Sequence, residues 1–229
     1  MSCVAVITAR GGSKRIPRKN IRKFCGKPII AYSIEVALES QLFDEVMVST
    51  DDKEIAEISK KYGAVVPFMR SEKTSSDYAT TKDVLVEVLD TYKSIGKEFD
   101  YMCCLYPTAP FITADTLVYG INRLKETKAD CLEPVAKYKR PLQSGFRVND
   151  DGYLEYLYPE FAKEDILDTE PLYYDVGQFY WYNVKEYFFL GKKELDVSTI
   201  IIPEEMVQDI DDESDWAIAE MKYTLLHKK

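Results

Sequence analysis

Short apolar runs alternate with stretches whose apolar positions recur every three or four residues. CVAVITA (3–9) is brief, apolar and β-branched, which predicts a buried strand. In 28–41 (PIIAYSIEVALESQ), Ile30, Ile34, Ala37 and Leu38 share one face, and Pro28 suits a first helical turn. EVMVST (45–50) predicts a second strand. Asp52 then caps a helix that runs to Tyr62 and stops at Gly63. VVPFM (65–69) reads as a short strand that Pro67 places at an edge. A polar loop over 70–79 precedes a helix over 81–95 with Val84, Leu85, Val88 and Leu89 on one face.

YMCCLY (101–106) is a further strand, ended by Pro107, and a helix over 115–126 follows, capped by Thr113 or Ala114. DCLEPVA (130–136) is strand-like. Residues 144–158 predict a hairpin about Asn149-Asp150-Asp151-Gly152, and 159–172 a loop or lid. Strands at 176–182 and 198–202 and a helix from near Asp212 to Leu226 complete the chain. Repeated strand–helix–strand order predicts an α/β fold with a mostly parallel sheet and helices on both faces. The 229 residues suit one domain, with 137–175 as a small insertion or flap. In such sheets ligands bind at the carboxyl ends of the strands, where the loops 10–27, 107–112 and 137–147 belong.

Charge changes this picture. The first 34 residues hold eight basic side chains (Arg10, Lys14, Arg15, Arg18, Lys19, Arg22, Lys23 and Lys27) and no acid; the rest carries 22 basic and 39 acidic side chains, a net of −17. The total of −9 argues against a general nucleic-acid binder. No segment approaches the ~18 apolar residues a membrane helix needs. The first apolar run has its basic cluster after it, the reverse of an export signal. Five cysteines without a C-x-x-C pair read as buried free thiols of a reducing cytoplasm. The single histidine, His227, falls in a tail expected to fray. Ser-His and Cys-His pairs and His-ligated zinc are thereby disfavoured.

Two segments carry candidate chemistry. The basic one reads A-R-G-G-S-K-R-I-P-R-K-N from Ala9 to Asn20, directly after the first strand. Gly11 and Gly12 let backbone amides turn inward as an anion nest, Ser13 adds a hydroxyl, and Arg10, Lys14 and Lys19 offset phosphate charge. It is neither a Walker loop nor G-x-G-x-x-G. A solvated loop or an acidic-protein dock is the alternative. Arg15, Arg18, Arg22 and Lys23 either make specific contacts or only set the field. The acidic segment is Q-D-I-D-D-E-S-D, 208–215. In an extended chain Asp209 and Asp211 face one way and Ile210 the other, as two ligands for Mg²⁺ would. Equally, acids here favour the dipole of the helix that follows.

With both segments in view, the chain resembles the cytidylyltransferases that activate nonulosonic and related acidic sugars. The best-matched stretch runs from Ile7 through Ala9-Arg10-Gly11-Gly12-Ser13-Lys14 to Lys19-Asn20. Gly26-Lys27-Pro28, Ser49-Thr50-Asp51-Asp52, Tyr106-Pro107-Thr108-Ala109-Pro110, Gly177-Gln178-Phe179-Tyr180 and Asp209-Ile210-Asp211 follow in the family's order. The resemblance implies a Rossmann-like, three-layer nucleotide-diphosphosugar transferase fold. It implies CTP as co-substrate, held by its triphosphate at Arg10, Lys14, Lys19 and Asn20, with base contacts near Arg70 and Thr81. It also implies Mg²⁺ at Asp209 and Asp211, and a homodimer made through the inserted region.

Tyr106 stands where members acting on ordinary sialic acid carry a sugar-contacting Gln. Together with Pro141-Leu142-Gln143 and Gly177-Gln178-Phe179-Tyr180-Trp181 it looks more like members acting on pseudaminic acid, a deoxygenated diacetamido sugar. Tyr106, Gln143, Gln178 and Tyr180 are therefore the candidate sugar contacts. Sialic, legionaminic or Kdo-like acids are the alternative acceptors, and a nucleotide-binding regulator without turnover is the alternative role. The expected reaction is attack of the sugar's anomeric hydroxyl on the α-phosphorus of CTP, with loss of pyrophosphate. Arg10, Lys14 and Lys19 would stabilise the leaving group.

Overall fold

A computed structural model of the chain describes residues 1–140, 142–161 and 170–228. In chain order the strands and helices are β1 (Cys3–Thr8), β2 (Lys23–Phe24), β3 (Lys27–Pro28), α1 (Ile29–Glu39), β4 (Glu45–Ser49), α2 (Lys53–Lys61), α3 (Glu72–Ser75) and α4 (Thr81–Ser94). They continue with β5 (Tyr101–Leu105), α5 (Ala114–Thr127), β6 (Cys131–Lys137), β7 (Phe146–Val148), β8 (Leu154–Tyr156), β9 (Tyr173–Asp175), β10 (Phe179–Asn183), β11 (Val197–Ile201) and α6 (Glu213–Leu226).

The central sheet runs β11-β6-β10-β5-β1-β4, with β9 also paired to β6. β4, β1, β5, β6 and β11 point one way; β10 and β9 point the other. The sheet is thus mostly parallel, as expected, and buried on both faces as parallel strands require. On one face Ala5, Ile7, Cys103, Leu132 and Trp181 meet α1 through Ile30 and Ile34, α2 through Ile55, and α5 through Leu117 and Ile121. On the other, Val4, Val6, Met102 and Cys104 meet α4 through Leu85, Val88 and Tyr92. Those are the three layers. Gly120 of α5 lets the helix close on the sheet: a Cβ there would stand 3.0 Å from the Trp181 ring.

A third apolar cluster lies beside the sheet. Ile16 and Phe24 of the basic segment pack with Ile29, Tyr32, Ile210, Trp216 and Ala219. β2 and β3 form a small antiparallel ribbon within that segment, and Arg22 lies over the Trp216 ring at 4.5 Å. α6 therefore packs on the basic segment, which carries the acidic segment to it.

Local signals place the helix starts. Asp52 accepts the Glu54 and Ile55 amides at the start of α2, and Thr113, not Ala114, caps α5. Asp212 and Asp215 form a capping box on α6. Several expectations change. Residues 65–69 make only one bridge, Val65 to Met47, because Pro67 has no amide to continue a ladder. The polar loop 70–79 contains α3. Cys25 is exposed, unlike the four other thiols. His227 is the C-cap of α6, and its ring stacks on Tyr223 at 3.9 Å. The hairpin at 146–156 is present as β7 and β8. Pro141 and residues 162–169 of the expected lid lie outside the described residues. Among the described residues, no helix is long and apolar enough to cross a membrane.

Asp52 does more than cap. It also pairs with Arg18, at 2.5 and 3.1 Å, and that hydrogen bond holds its carboxyl down at about 2. A carboxylate depressed in the folded state stabilises above its unfolded value near 4 and stops doing so as pH falls through about 2. Asp52→Ala is expected to cost about 1–2 kcal/mol at pH 7. Urea titrations should show the gap from the parent chain narrowing as pH is lowered from 4 toward 2.

Candidate functional site

A cavity of about 490 Å³ opens at the carboxyl ends of β1, β4 and β5. Its walls include Thr8 from β1, Arg10, Ser13, Lys14, Arg15, Lys19 and Asn20 from the basic segment, and Arg70, Thr81 and Tyr106 opposite. The eight basic side chains divide by what they touch. Arg10, Lys14, Arg15 and Lys19 face the cavity. Arg18 is bound to Asp52 and Glu54 and occupies the left-handed region at φ 56°, while one guanidinium nitrogen of Arg22 donates to both Glu213 oxygens. Lys27 pairs with Glu35 beside Tyr32, and Lys23 is exposed. Three of the eight thus anchor the segment, four bring charge to the cavity, and Lys23 faces solvent.

The glycine pair behaves differently from expectation. The Gly11 amide donates to Asp51 at 2.9 Å and so does not point into an anion nest. Gly11 is needed for another reason: a Cβ there would lie 2.8 Å from an Asp52 oxygen. Ala9 is fully buried in the core, and neither it nor Gly11 or Gly12 lines the cavity. Asn20 is buried and donates to the Arg10 carbonyl at 2.9 Å, which fixes the loop.

Two carboxylates hold three of the cavity's cations. Arg10 and Lys14 both bind Asp77, at 2.9 and 2.5 Å, and the Lys14 hydrogen bond lowers the Asp77 carboxyl. Arg15 binds Asp211 at 2.8 Å. Asp77 was missed by sequence reasoning, since nothing local distinguishes it within a polar loop. Arg70 is buried and donates to the Ser49 hydroxyl at 3.0 Å and the Ser49 carbonyl at 2.6 Å, and burial lowers its pKa.

A second cavity of about 550 Å³ adjoins the first through Tyr106, which lines both. Asp211 lines the first cavity and Asp209 the second, with Ile210 buried between them as the alternation predicts. Lys19 fixes this strip: its Nζ donates to the Ile210 carbonyl at 2.7 Å. Burial lowers the Lys19 pKa against the opposing pull of Asp211 and Asp209. Asp209 stands at the cavity rim, where desolvation and then the Asp211 charge raise its carboxyl. Two hard oxygen donors either side of a buried residue fit Mg²⁺, which needs phosphate oxygens or waters to complete its shell.

Tyr180 also lines the second cavity, its hydroxyl donating to Asp175 at 2.6 Å and its ring edge-on to Tyr106 at 5.6 Å. Tyr106 touches Thr81 across the first cavity at 3.3 Å. Gln178 is elsewhere: it is buried, with Nε2 on the Met206 carbonyl at 2.6 Å. Gln143 donates to the Glu170 carbonyl at 3.3 Å and lines neither cavity. Asp175, Glu204 and Lys222 line the second cavity without having been anticipated, since they come from segments with no local motif.

Comparisons with known proteins give a consistent result. A profile of the family described as cytidylyltransferase matches residues 4–220. Pseudaminic acid cytidylyltransferase of Campylobacter jejuni subsp. jejuni serotype O:2 is 37% identical over 231 aligned positions, covering 100% of this chain and 99% of the relative. CMP-N,N'-diacetyllegionaminic acid synthase of Legionella pneumophila is 32% identical, covering 96% and 95%. Among solved structures, CMP:2-keto-3-deoxy-manno-octonic acid synthetase complexed with CTP superposes with a TM-score of 0.70 at 20% identity, over 99% of each chain. That likeness bears on the fold.

Asp77 competes with any polyanion for Arg10 and Lys14. Exposed pairs of this kind contribute modestly, so Asp77→Asn is expected to tighten binding of inorganic pyrophosphate by about 2- to 10-fold. Isothermal titration checks it, and the gain should shrink as salt is raised.

Proposed function

Because this chain belongs to the cytidylyltransferase family, we propose that it transfers CMP from CTP to the anomeric hydroxyl of a nonulosonic acid, pseudaminic acid first among them. The observation that carries this reading is the pair of adjoining cavities with Tyr106 on both and the Asp209-Ile210-Asp211 strip along their margin. CTP occupies the first cavity. Arg10, Lys14, Lys19 and Ser13 take the triphosphate, with Asn20 holding the loop. Arg70 and Thr81 face the cytidine end. The sugar occupies the second cavity against Tyr106 and Tyr180.

Asp209 and Asp211 would hold Mg²⁺, which would supply charge neutralisation at the phosphates. For that, Arg15 must release Asp211. The residues then act mainly by placement and field: the cavities set sugar hydroxyl and α-phosphorus in line, and Arg10, Lys14 and Lys19 receive the charge of departing pyrophosphate. The hydroxyl proton passes to a carboxylate oxygen of the second cavity. Asp175, Glu204 and Asp209 are the carboxylates on the sugar's side. A tyrosine at position 106 offers ring surface where a deoxygenated sugar offers few hydroxyls, which favours pseudaminic acid over sialic acid.

The whole chain acts as one catalytic domain in the cytoplasm, and residues 137–175 serve as its flap and dimer contact. β7 and β8 form a two-stranded ribbon with Val148 and Leu154 exposed at 67% and 68%; such ribbons are marginal alone. Leu154→Lys is expected to convert a dimer to a monomer by light scattering.

The direct test is pyrophosphate release from CTP and Mg²⁺ with pseudaminic, legionaminic and N-acetylneuraminic acids in parallel. Turnover with pseudaminic acid alone is expected, and preference for another acid would remove the Tyr106 argument. Asp209→Asn should lower kcat by about two to three orders of magnitude. A near-parental rate in that variant would remove the metal assignment.

A further inference from the structure

We propose that Lys222 anchors the carboxylate of the acceptor sugar, and that it is the group by which the second cavity separates an acid from a neutral sugar. This rests on the reading above, in which that cavity holds the acceptor.

The walls of the second cavity carry three carboxylates, Asp175, Glu204 and Asp209, and one cation, Lys222. An anionic sugar entering there meets like charge unless something answers it. Two of the acids are engaged within the protein. Asp175 accepts the Tyr180 hydroxyl at 2.6 Å and the Gly177 amide at 3.0 Å, and Glu204 pairs with Lys139 at 2.6 Å. That pair also commits Lys139, which lines the neighbouring groove with Lys137 and Arg140.

Lys222 is held differently. Its Nζ donates to the Val207 carbonyl at 2.5 Å and the Glu204 carbonyl at 3.1 Å. Among the described residues no carboxylate forms an ion pair with it. Carbonyls fix an ammonium in place without cancelling its charge. An ammonium has three donors, so one N–H remains for a ligand. The side chain is half-buried, and desolvation is the leading influence lowering its pKa. A charge held in that condition gains more from an anionic partner than one in bulk water does.

Position adds a reason. Both carbonyls belong to the turn Glu204–Val207, which leads directly into Asp209. In a 2-ulosonic acid the carboxylate is bonded to the anomeric carbon itself. Fixing that carboxylate on Lys222 therefore fixes the reacting hydroxyl within a bond or two, beside the strip where α-phosphorus is proposed to sit. Lys222 acts here as a substrate-binding and positioning residue, and α6 gains a role beyond covering the basic segment.

The experiment compares the parent chain, Lys222→Gln and Lys222→Arg against the preferred nonulosonic acid and its C1 carboxamide, with CTP affinity measured separately for each. The parent should prefer acid over amide by roughly 10- to 100-fold in kcat/KM, the range for a hydrogen bond to a charged group. Lys222→Gln should lose that preference, because the acid falls while the amide does not. Lys222→Arg should keep most of it, and all three should bind CTP alike. A parental acid-over-amide ratio in Lys222→Gln overturns the proposal. So does an equal loss on both sugars together with weaker CTP binding, the outcome of a structural lysine. Failure of the functional reading is seen in the parent arm alone, as CTP binding without turnover of any acid.

Discussion

The Lys19 ammonium on the carbonyl oxygen of Ile210 is the contact on which the site depends. It joins a segment with eight positive charges to a segment dense in aspartate, from opposite ends of the chain. Within each segment like charges repel, and a half-buried ammonium needs oxygen around it. Bringing them together answers both. Lys19 occupies the centre of the acidic strip, Arg15 reaches Asp211, and Arg22 reaches Glu213. The apolar footing beneath, from Ile16 and Phe24 to Ile210 and Trp216, keeps the two in register.

From that junction the two cavities follow. The parallel strands β1, β4 and β5 deliver the basic segment, Arg70 and Tyr106 to one edge of the sheet. β10 runs against them, so its entry, at Val176 and Gly177, reaches the same edge. Two reversed strands, β10 and β9, thus set a second cavity beside the first. Arg10, Lys14 and Arg15 of the first cavity are held by Asp77 and Asp211. Three of the charges that would receive a triphosphate are thus partly offset within the protein, while Lys19 and Arg70 are held by neutral oxygens and keep their charge.

Local chemistry made the scaffold readable. Asp52 and Thr113 announced their helices by hydrogen-bonding capacity, and Asn149-Asp150-Asp151-Gly152 announced its turn. The alternation Asp209-Ile210-Asp211 put Ile210 in the core and its neighbours toward the cavities. What stayed hidden depended on partners distant in sequence. Gly11 suggested a nest, yet it is small because Asp52 approaches it, and its amide belongs to Asp51. Gln178 suggested a sugar contact, yet it satisfies the Met206 carbonyl. Asp77, Asp175 and Lys222 carry no local signature, because a site assembled from loops and a terminal helix is encoded by packing rather than by spacing. The antiparallel placement of β10 is likewise fixed by its neighbours, β5 and β6, and not by its own apolar run.

In the proposed reaction nucleotide and sugar, set in adjoining cavities, react directly, with no covalent enzyme intermediate. The stereochemical course at phosphorus tests it most directly, using CTP made chiral at the α-phosphorus by sulfur substitution. A single in-line displacement predicts inversion of configuration in the CMP-sugar product. Retention would require two displacements through an enzyme-bound nucleotidyl group, and would contradict the account.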